Sequence, residues 1–175
     1  MANILILYST TDGHTRTICL RIREVAERDG HAVTLLPIRE GDSVDLSSFD
    51  KIVIGASIRY GKHSPLVIDF IDQHRHLLDE RPNAFFSVNV VARKPEKNRP
   101  DTNPYLQKFL RQSAWRPRQL EVFAGKINYA LYNPVDRFMI RLIMLITKGP
   151  TALDTHAEYT DWQRVEDFGR LIGRM

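Results

Sequence analysis

One feature of this sequence most constrains its fold. It is an apolar run that ends abruptly in hydroxyl side chains and one glycine, just before a helical pattern. Ile4–Tyr8 predicts a buried strand, and the pattern after Gly13 predicts a helix. Backbone N–H groups at a helix start are unpaired and carry the positive end of the helix dipole, so anions bind there. Further hydrogen bonds can come from the hydroxyls of Ser9, Thr10, Thr11 and Thr15. No Lys or Arg lies between residues 2 and 14, so the segment predicts a phosphate loop of neutral donors.

Alternating strands and helices predict the fold. The further apolar runs are Ala32–Leu36, Ile52–Ala56, Ala84–Val91 and Leu120–Ala124. The further helical patterns are Pro65–Leu78, Asn103–Ser113 and Asp161–Gly173. Strands that are apolar on both faces are typical of parallel sheets covered on both sides. We therefore expect a single α/β domain over 1–175, with a doubly wound, flavodoxin-like sheet of five parallel strands in the order 2-1-3-4-5.

Composition excludes several classes of protein. The chain has 175 residues and a single cysteine, Cys19, so it forms no internal disulfide. Cys19 lies beside the apolar stripe of the first predicted helix, and we interpret it as a small core residue. The six histidines show no ligand spacing, so we expect no metal site. Neither a signal peptide nor a membrane-spanning segment is predicted, and reducing cytoplasm is the expected compartment.

Positive charge is concentrated in one stretch. Between Arg93 and Arg118 there are eight Lys or Arg residues and two acidic ones, a local charge of +6 in a chain whose net charge is +4. This pattern is compatible with a solvated basic face, an anionic substrate or an anionic lipid surface. No nucleic-acid-binding motif accompanies it, so we expect no nucleic-acid partner.

Three strand ends are expected to meet at one edge of the sheet. The phosphate loop follows the first strand, Ser57–Gly61 follows the third, and Asn89–Lys94 follows the fourth. In doubly wound sheets ligands bind beyond the carboxyl ends of the strands, at the point where the strand order reverses. Two loops with apolar and aromatic residues beside a phosphate loop indicate flavin mononucleotide (FMN). Taken singly, each loop could be an ordinary connection. Signatures of nucleotide hydrolysis and of dinucleotide binding do not fit the loop.

Several segments resemble one family closely. They are Ser9–Thr15, Ile54–Gly61, Ser87–Lys97, Trp115–Pro117, Asp136–Ile140 and Tyr159–Trp162. These resemble the flavodoxin-type protoporphyrinogen IX dehydrogenases of bacterial haem synthesis, and the resemblance covers nearly the whole chain. It implies an enzyme that uses FMN to oxidise protoporphyrinogen IX and passes the electrons to a respiratory quinone, typically menaquinone.

The resemblance also implies site residues. The candidate cofactor-binding residues are Ser9, Thr10, Asp12, Gly13, His14, Thr15, Ser57, Ile58, Arg59, Tyr60, Gly61, Asn89, Val90, Val91, Ala92 and Arg93. Cations near the expected flavin edge would suit the propionates of a porphyrinogen. The candidate substrate-binding residues are Arg59, Arg93, Lys94 and Lys97. The sequence indicates no catalytic base.

An extra segment precedes the last helix, at about residues 126–155. Within it, Pro134–Lys148 predicts a helix, and nine of the twelve residues from 135 to 146 are large and apolar. Such a helix is roughly 21 Å long, too short for the hydrocarbon core of a bilayer. We expect it to lie in a membrane interface with Arg137 and Arg141 toward the headgroups, on the cytoplasmic face of the inner membrane. Burial in the core and self-association into a homo-oligomer are the alternatives.

Two other functions remain open at this point. One is an NAD(P)H:quinone reductase, which would be reduced rapidly by NADPH. The other is a flavodoxin-type electron carrier. Such carriers are typically acidic, as the family implies, whereas this sequence has a pI of about 9.3.

Overall fold

Strands and helices alternate along the chain, in a computed structural model that describes residues 1–175. The strands are β1 (Asn3–Ser9), β2 (Ala32–Pro37), β3 (Lys51–Arg59), β4 (Lys62–His63), β5 (Asn83–Asn89), β6 (Gln119–Ala124), β7 (Lys126–Asn128) and β8 (His156–Glu158). The helices are α1 (His14–Arg28), α2 (Pro65–Glu80), α3 (Pro104–Gln112), α4 (Pro134–Ile146) and α5 (Trp162–Arg174). Short 3₁₀ turns cover 38–43, 46–48, 90–93, 95–97 and 129–131.

Five long parallel strands form the central sheet in the order β2-β1-β3-β5-β6. Counting these five strands alone, the order is 2-1-3-4-5, so the predicted flavodoxin-like fold is confirmed. Ser9 of β1 pairs with Ala56, and Asn89 of β5 pairs with Ala124. The carboxyl ends of the strands therefore lie at one edge.

The core has two layers because successive strand residues point to opposite faces of the sheet. Phe85 packs with α2 and α3, and its ring stacks on Phe109 at a centroid distance of 4.1 Å. Its neighbour Phe86 packs on the other face with α1 and α5. Cys19 is fully buried there, as expected of a core residue, and burial raises the pKa of its thiol.

The third strand is longer than the sequence indicates. Residues 57–59, expected in a loop, continue β3, and the chain then turns back into β4. The two turn residues, Tyr60 and Gly61, have φ angles of 52° and 75°. Positive φ at both central positions is what a two-residue type I′ turn requires, and its twist matches that of the strands. The Ser57–Gly61 segment is therefore a hairpin and not a loop, which corrects the prediction.

The extra segment forms its own small unit. β7 and β8 pair antiparallel, and the chain between them contains a 3₁₀ turn and α4. The helix ends at Ile146 and not at Lys148, because Lys148 adopts a left-handed conformation with φ of 60°. Gly149 N–H then donates to the carbonyl of Met144 at 2.7 Å. No helix of the protein has both the length and the apolar character needed to cross a bilayer.

Candidate functional site

A cleft at the carboxyl edge of the sheet contains about 750 Å³ of space, including its open mouth. Its walls come from the phosphate loop, the β3–β4 hairpin, the turn after β5 and the extra segment. The lining residues are Asp12, His14, Thr15, Ser57, Ile58, Arg59, Tyr60, Gly61, Val88, Asn89, Val90, Val91, Tyr105, Gly125, Lys126, Tyr132, Ile140, Ile143 and Met144. The mixture of apolar and polar residues in this lining is typical of a cofactor site.

The phosphate loop is shaped for an anion. Gly13 precedes α1 with a φ of 88°, and its N–H donates to Thr10 Oγ1 at 2.9 Å. No side chain caps the start of α1, so the first helical N–H groups keep their capacity to donate. Thr15 Oγ1 is fully buried, lines the cleft and has no hydrogen-bond partner. Since buried polar groups are nearly always paired, this hydroxyl indicates a ligand.

His14 is positioned by neighbouring residues as a neutral side chain. Its Nε2 lies 2.7 Å from Thr160 Oγ1, and that hydroxyl donates to the Ala124 carbonyl at 2.6 Å. With its own proton committed, the Thr160 oxygen must accept, so His14 carries its proton on Nε2. Burial lowers the His14 pKa, and this effect outweighs the opposite influence of Glu158. His14 therefore holds the segment after β8 in place and adds no charge to the cleft.

Arg59 lies between two carboxylates. Its Nη2 is 3.7 Å from Asp12 Oδ1, and its Nη1 is 3.6 Å from Asp136 Oδ2. The guanidinium also lies over the Tyr132 ring, 5.5 Å from the centroid. The Tyr60 hydroxyl donates to the other oxygen of Asp136. The hairpin is thereby tied to the N-terminus of α4, and the charge of Arg59 is already compensated.

The turn after β5 is held by a buried amide pair. Asn89 Nδ2 donates to Asn103 Oδ1 at 3.1 Å, and Asn103 Nδ2 donates back to Asn89 Oδ1 at 2.9 Å. Asn89 Oδ1 also accepts from Ala92 N–H. The Asn89 side chain is therefore committed to fixing the 90–93 turn, and Val90 and Val91 present the surface toward the cleft.

Arg93 does not point toward the cleft. Its guanidinium donates to the carbonyls of Val90 and Thr147, each at 3.1 Å, and so ties the turn to the end of α4. This corrects the expectation that Arg93 is free for a substrate carboxylate. Lys94 and Lys97 lie farther along, and neither lines the cleft. The other predicted residues outside the lining are Ser9, Thr10, Gly13 and Ala92. Their assigned roles stay predictions.

Eight lining residues were not predicted from the sequence. They are Val88, Tyr105, Gly125, Lys126, Tyr132, Ile140, Ile143 and Met144, of which all but Val88 lie outside the three predicted strand ends. The i, i+3, i+4 spacing of the last three marks one face of a helix. The spacing can be recognised in the sequence. The sequence does not indicate, however, that this face of the helix points toward the cleft.

The outer face of α4 is exposed. Val135, Phe138, Leu145 and Ile146 have 67–73% of their surface accessible, and Met144 is the one buried residue of the helix. Burial of α4 in the core is therefore wrong as an interpretation. Arg137 also differs from expectation, because its guanidinium turns inward and donates to the carbonyls of Tyr129 and Tyr132. Arg141 is exposed, as the prediction requires.

A phosphate loop, a neighbouring hairpin and an apolar wall at the edge of a 2-1-3-4-5 sheet define the class of flavodoxin-like proteins. Comparison with known proteins agrees. The sequence model of the flavodoxin domain matches residues 5–154. Flavodoxin 2 from Bacillus cereus superposes with a TM-score of 0.57 at 17% identity, covering 99% of both chains, a likeness of fold alone.

Two curated relatives are much closer in sequence. A protein from Leishmania major is 46% identical over 94% of this chain and 71% of its own length. One from Escherichia coli strain K12 is 42% identical over 98% of this chain and 94% of its own. Both are named protoporphyrinogen IX dehydrogenase [quinone]. The chain belongs to this flavodoxin-type dehydrogenase family, and it is an oxidoreductase whose fold family implies a flavin cofactor.

Proposed function

We propose that the protein oxidises protoporphyrinogen IX to protoporphyrin IX with bound FMN and passes the electrons to a respiratory quinone, menaquinone. The observation that carries this proposal is the identity of 42–46% to dehydrogenases of that name over 94–98% of the chain. This length includes the unit from β7 to β8, which supplies part of the cleft wall.

The residues present fit the cofactor. The N–H groups at the start of α1 and the unpartnered Thr15 hydroxyl would hold the phosphate. The hairpin residues Ile58 and Tyr60 and the turn residues Val90 and Val91 would flank the ring. When bound, the flavin supplies the capacity to accept hydride from a substrate carbon. The chain's own residues bind and orient the reactants and exclude water with an apolar wall.

The acceptor is proposed to be reached from a membrane surface. A quinone is soluble in lipid, and the exposed face of α4 offers five large apolar side chains for insertion into a membrane interface. Arg141 on α4 and Lys148, two residues beyond its end, are exposed and form no ion pair, so both can meet anionic headgroups. The proposal includes a location at the cytoplasmic face of the inner membrane.

Vesicle sedimentation tests the membrane contact. Wild-type protein should sediment with vesicles that contain anionic phospholipid, and a Phe138→Ser/Leu145→Ser variant should stay in the supernatant. Leu66→Ser is a matched control, because Leu66 is an exposed apolar residue on α2. Equal sedimentation of the three proteins would refute the contact, and a shift of the wild type to a dimer without vesicle binding would favour self-association.

An anaerobic assay tests the reaction. Protoporphyrinogen IX and a menaquinone analogue are supplied, and porphyrin fluorescence is followed against an enzyme-free control. We expect fluorescence to rise only with protein and quinone together. No gain above the control would refute the proposal. Rapid bleaching of the flavin by NADPH would favour a quinone reductase, and a yellow but inactive protein would favour an electron carrier.

A further inference from the structure

One cation in the cleft has no partner. The charged side chains of the lining are Asp12, Arg59 and Lys126, and Arg59 is already flanked by two carboxylates. The Lys126 ammonium makes no side-chain hydrogen bond and lies within 4.0 Å of no carboxylate oxygen, although Glu158 stands opposite Lys126 in the β7–β8 pairing. We infer that Lys126, at the start of the extra segment, is the counter-ion of the cofactor's phosphate. This inference rests on the proposed function, since it concerns the same cleft.

The geometry of the β7–β8 ribbon brings Lys126 to the phosphate loop. Lys126 pairs with Glu158 across the ribbon, and Glu158 Oε1 lies 3.9 Å from His14 Nε2. His14 is the first residue of α1, so the ribbon crosses the start of that helix. The charge of Lys126 is one of the influences that lower the pKa of His14, which agrees with this proximity.

The phosphate loop offers neutral donors only, so a cation beside it would strengthen the binding of a phosphate. A phosphate monoester carries about −1.5 to −2 charges near neutral pH, and the loop itself contains Asp12. Its other donors are neutral: the N–H groups of α1, the Thr15 hydroxyl and the uncharged His14. Removing a dianion from water beside a carboxylate is costly unless a cation faces it. Lys126 is the free cation that meets this requirement.

A carboxylate of the substrate is also an anion and could bind the Lys126 ammonium group as the phosphate of the cofactor does. Thr15 distinguishes the two, because its buried hydroxyl and the helix start lie at the same end of the cleft as the ribbon and favour the anion of the cofactor. The two sources predict different measurements, since riboflavin lacks the phosphate and protoporphyrinogen lacks the flavin.

The test compares FMN and riboflavin. The full chain is freed of flavin, and dissociation constants are measured by quenching of flavin fluorescence for the wild type, Lys126→Met and Lys126→Arg. Lys62→Met is the matched control, because Lys62 is exposed on the hairpin and does not line the cleft. A charge-assisted hydrogen bond predicts an FMN dissociation constant raised about ten-fold or more in Lys126→Met. Riboflavin affinity should stay unchanged, and Lys126→Arg should retain most of the FMN affinity.

Several results would overturn the inference. An equal loss for FMN and riboflavin would assign Lys126 to the ring or to folding, and unchanged FMN binding would remove it from the phosphate site. Unchanged FMN binding with a raised KM for protoporphyrinogen would assign it to the substrate. Wild-type protein that binds no FMN would refute the inference together with the cofactor assignment. A phosphate-dependent effect in a protein without dehydrogenase activity would instead support the inference and refute the proposed reaction.

Discussion

Acid should destabilise this protein through His63, a partly buried histidine of the β3–β4 hairpin. Its ring packs against Phe85 and Phe109 at centroid distances of 5.8 and 5.5 Å, and its Nε2 lies 2.8 Å from Ser87 Oγ. Burial, and secondarily the charge of Lys108, lower the pKa of His63 from 6.5 to about 4. Protonation in the folded state would bury an unpaired charge in an aromatic layer.

The sign and the size of the change in unfolding free energy follow from the linkage between proton binding and folding. The unfolded chain takes up the proton near pH 6.5 and the folded chain only near pH 4, so the unfolded state binds more protons between these values. Stability is therefore fully present above pH 6.5 and is lost as the pH falls toward 4. At about 1.4 kcal/mol per pKa unit, the loss is about 2.5 kcal/mol by pH 4.5. With a urea m-value of about 2 kcal/mol/M, the midpoint should fall by about 1 M.

The assay is urea unfolding of the wild type and of His63→Gln at pH 7 and pH 4.5. Gln keeps a hydrogen-bonding group for Ser87 but does not titrate, so other ionisable groups contribute equally to both proteins. We expect the wild type to lose about 2.5 kcal/mol more than the variant between the two pH values. Equal losses would show that His63 is protonated in the folded state and would refute the reasoning.

Three further substitutions test how the elements around the site are held. Lys51→Met removes the hydrogen bonds from Nζ to the carbonyls of Ile172 and Gly173 at the end of α5, and urea unfolding should show a loss of about 1–3 kcal/mol; an unchanged midpoint would contradict this. Asp136→Ala removes the partner of Tyr60 and the second carboxylate at Arg59, so limited proteolysis should cut near α4 faster while the melting temperature of the sheet changes little; cleavage at the wild-type rate would argue against the tie. Gly55→Ala places a Cβ against the ring of Phe86, and the resulting overpacking should cost about 1–3 kcal/mol in thermal unfolding, a penalty that a wild-type melting temperature would disprove.

The fold could be predicted because it depends on patterns that are local in the sequence. Five apolar runs with intervening helical periods determine the sheet, and right-handed crossovers limit its topology. The phosphate loop was readable for the same reason, since a strand, a short loop with Gly13 and a helix start lie within a dozen residues. The Thr15 hydroxyl that lines the cleft belongs to that stretch.

The direction of individual side chains could not be predicted. Arg93 and Arg59 both follow strand ends, yet Arg93 is committed to the end of α4 and Arg59 lies between two carboxylates. Each commitment depends on a residue more than forty positions away in the chain, Thr147 or Asp136. Lys126 was overlooked because an isolated lysine after a short strand has no local signal. The proposed role of Lys126 depends on residues that are brought close to it only in the folded chain.

Helix α4 of the extra segment has one face toward the cleft and another toward solvent. Ile140, Ile143 and Met144 line the cleft, while Phe138 and Leu145 are exposed on the opposite side. A helix is about 10 Å across, so one layer of side chains and backbone separates the proposed flavin from the proposed lipid surface. Both ends of the helix are tied to the walls of the cleft, through Asp136 at the hairpin and Thr147 at the 90–93 turn. The exposed apolar face therefore belongs to an element that is fixed at both ends to the two walls expected to hold the ring.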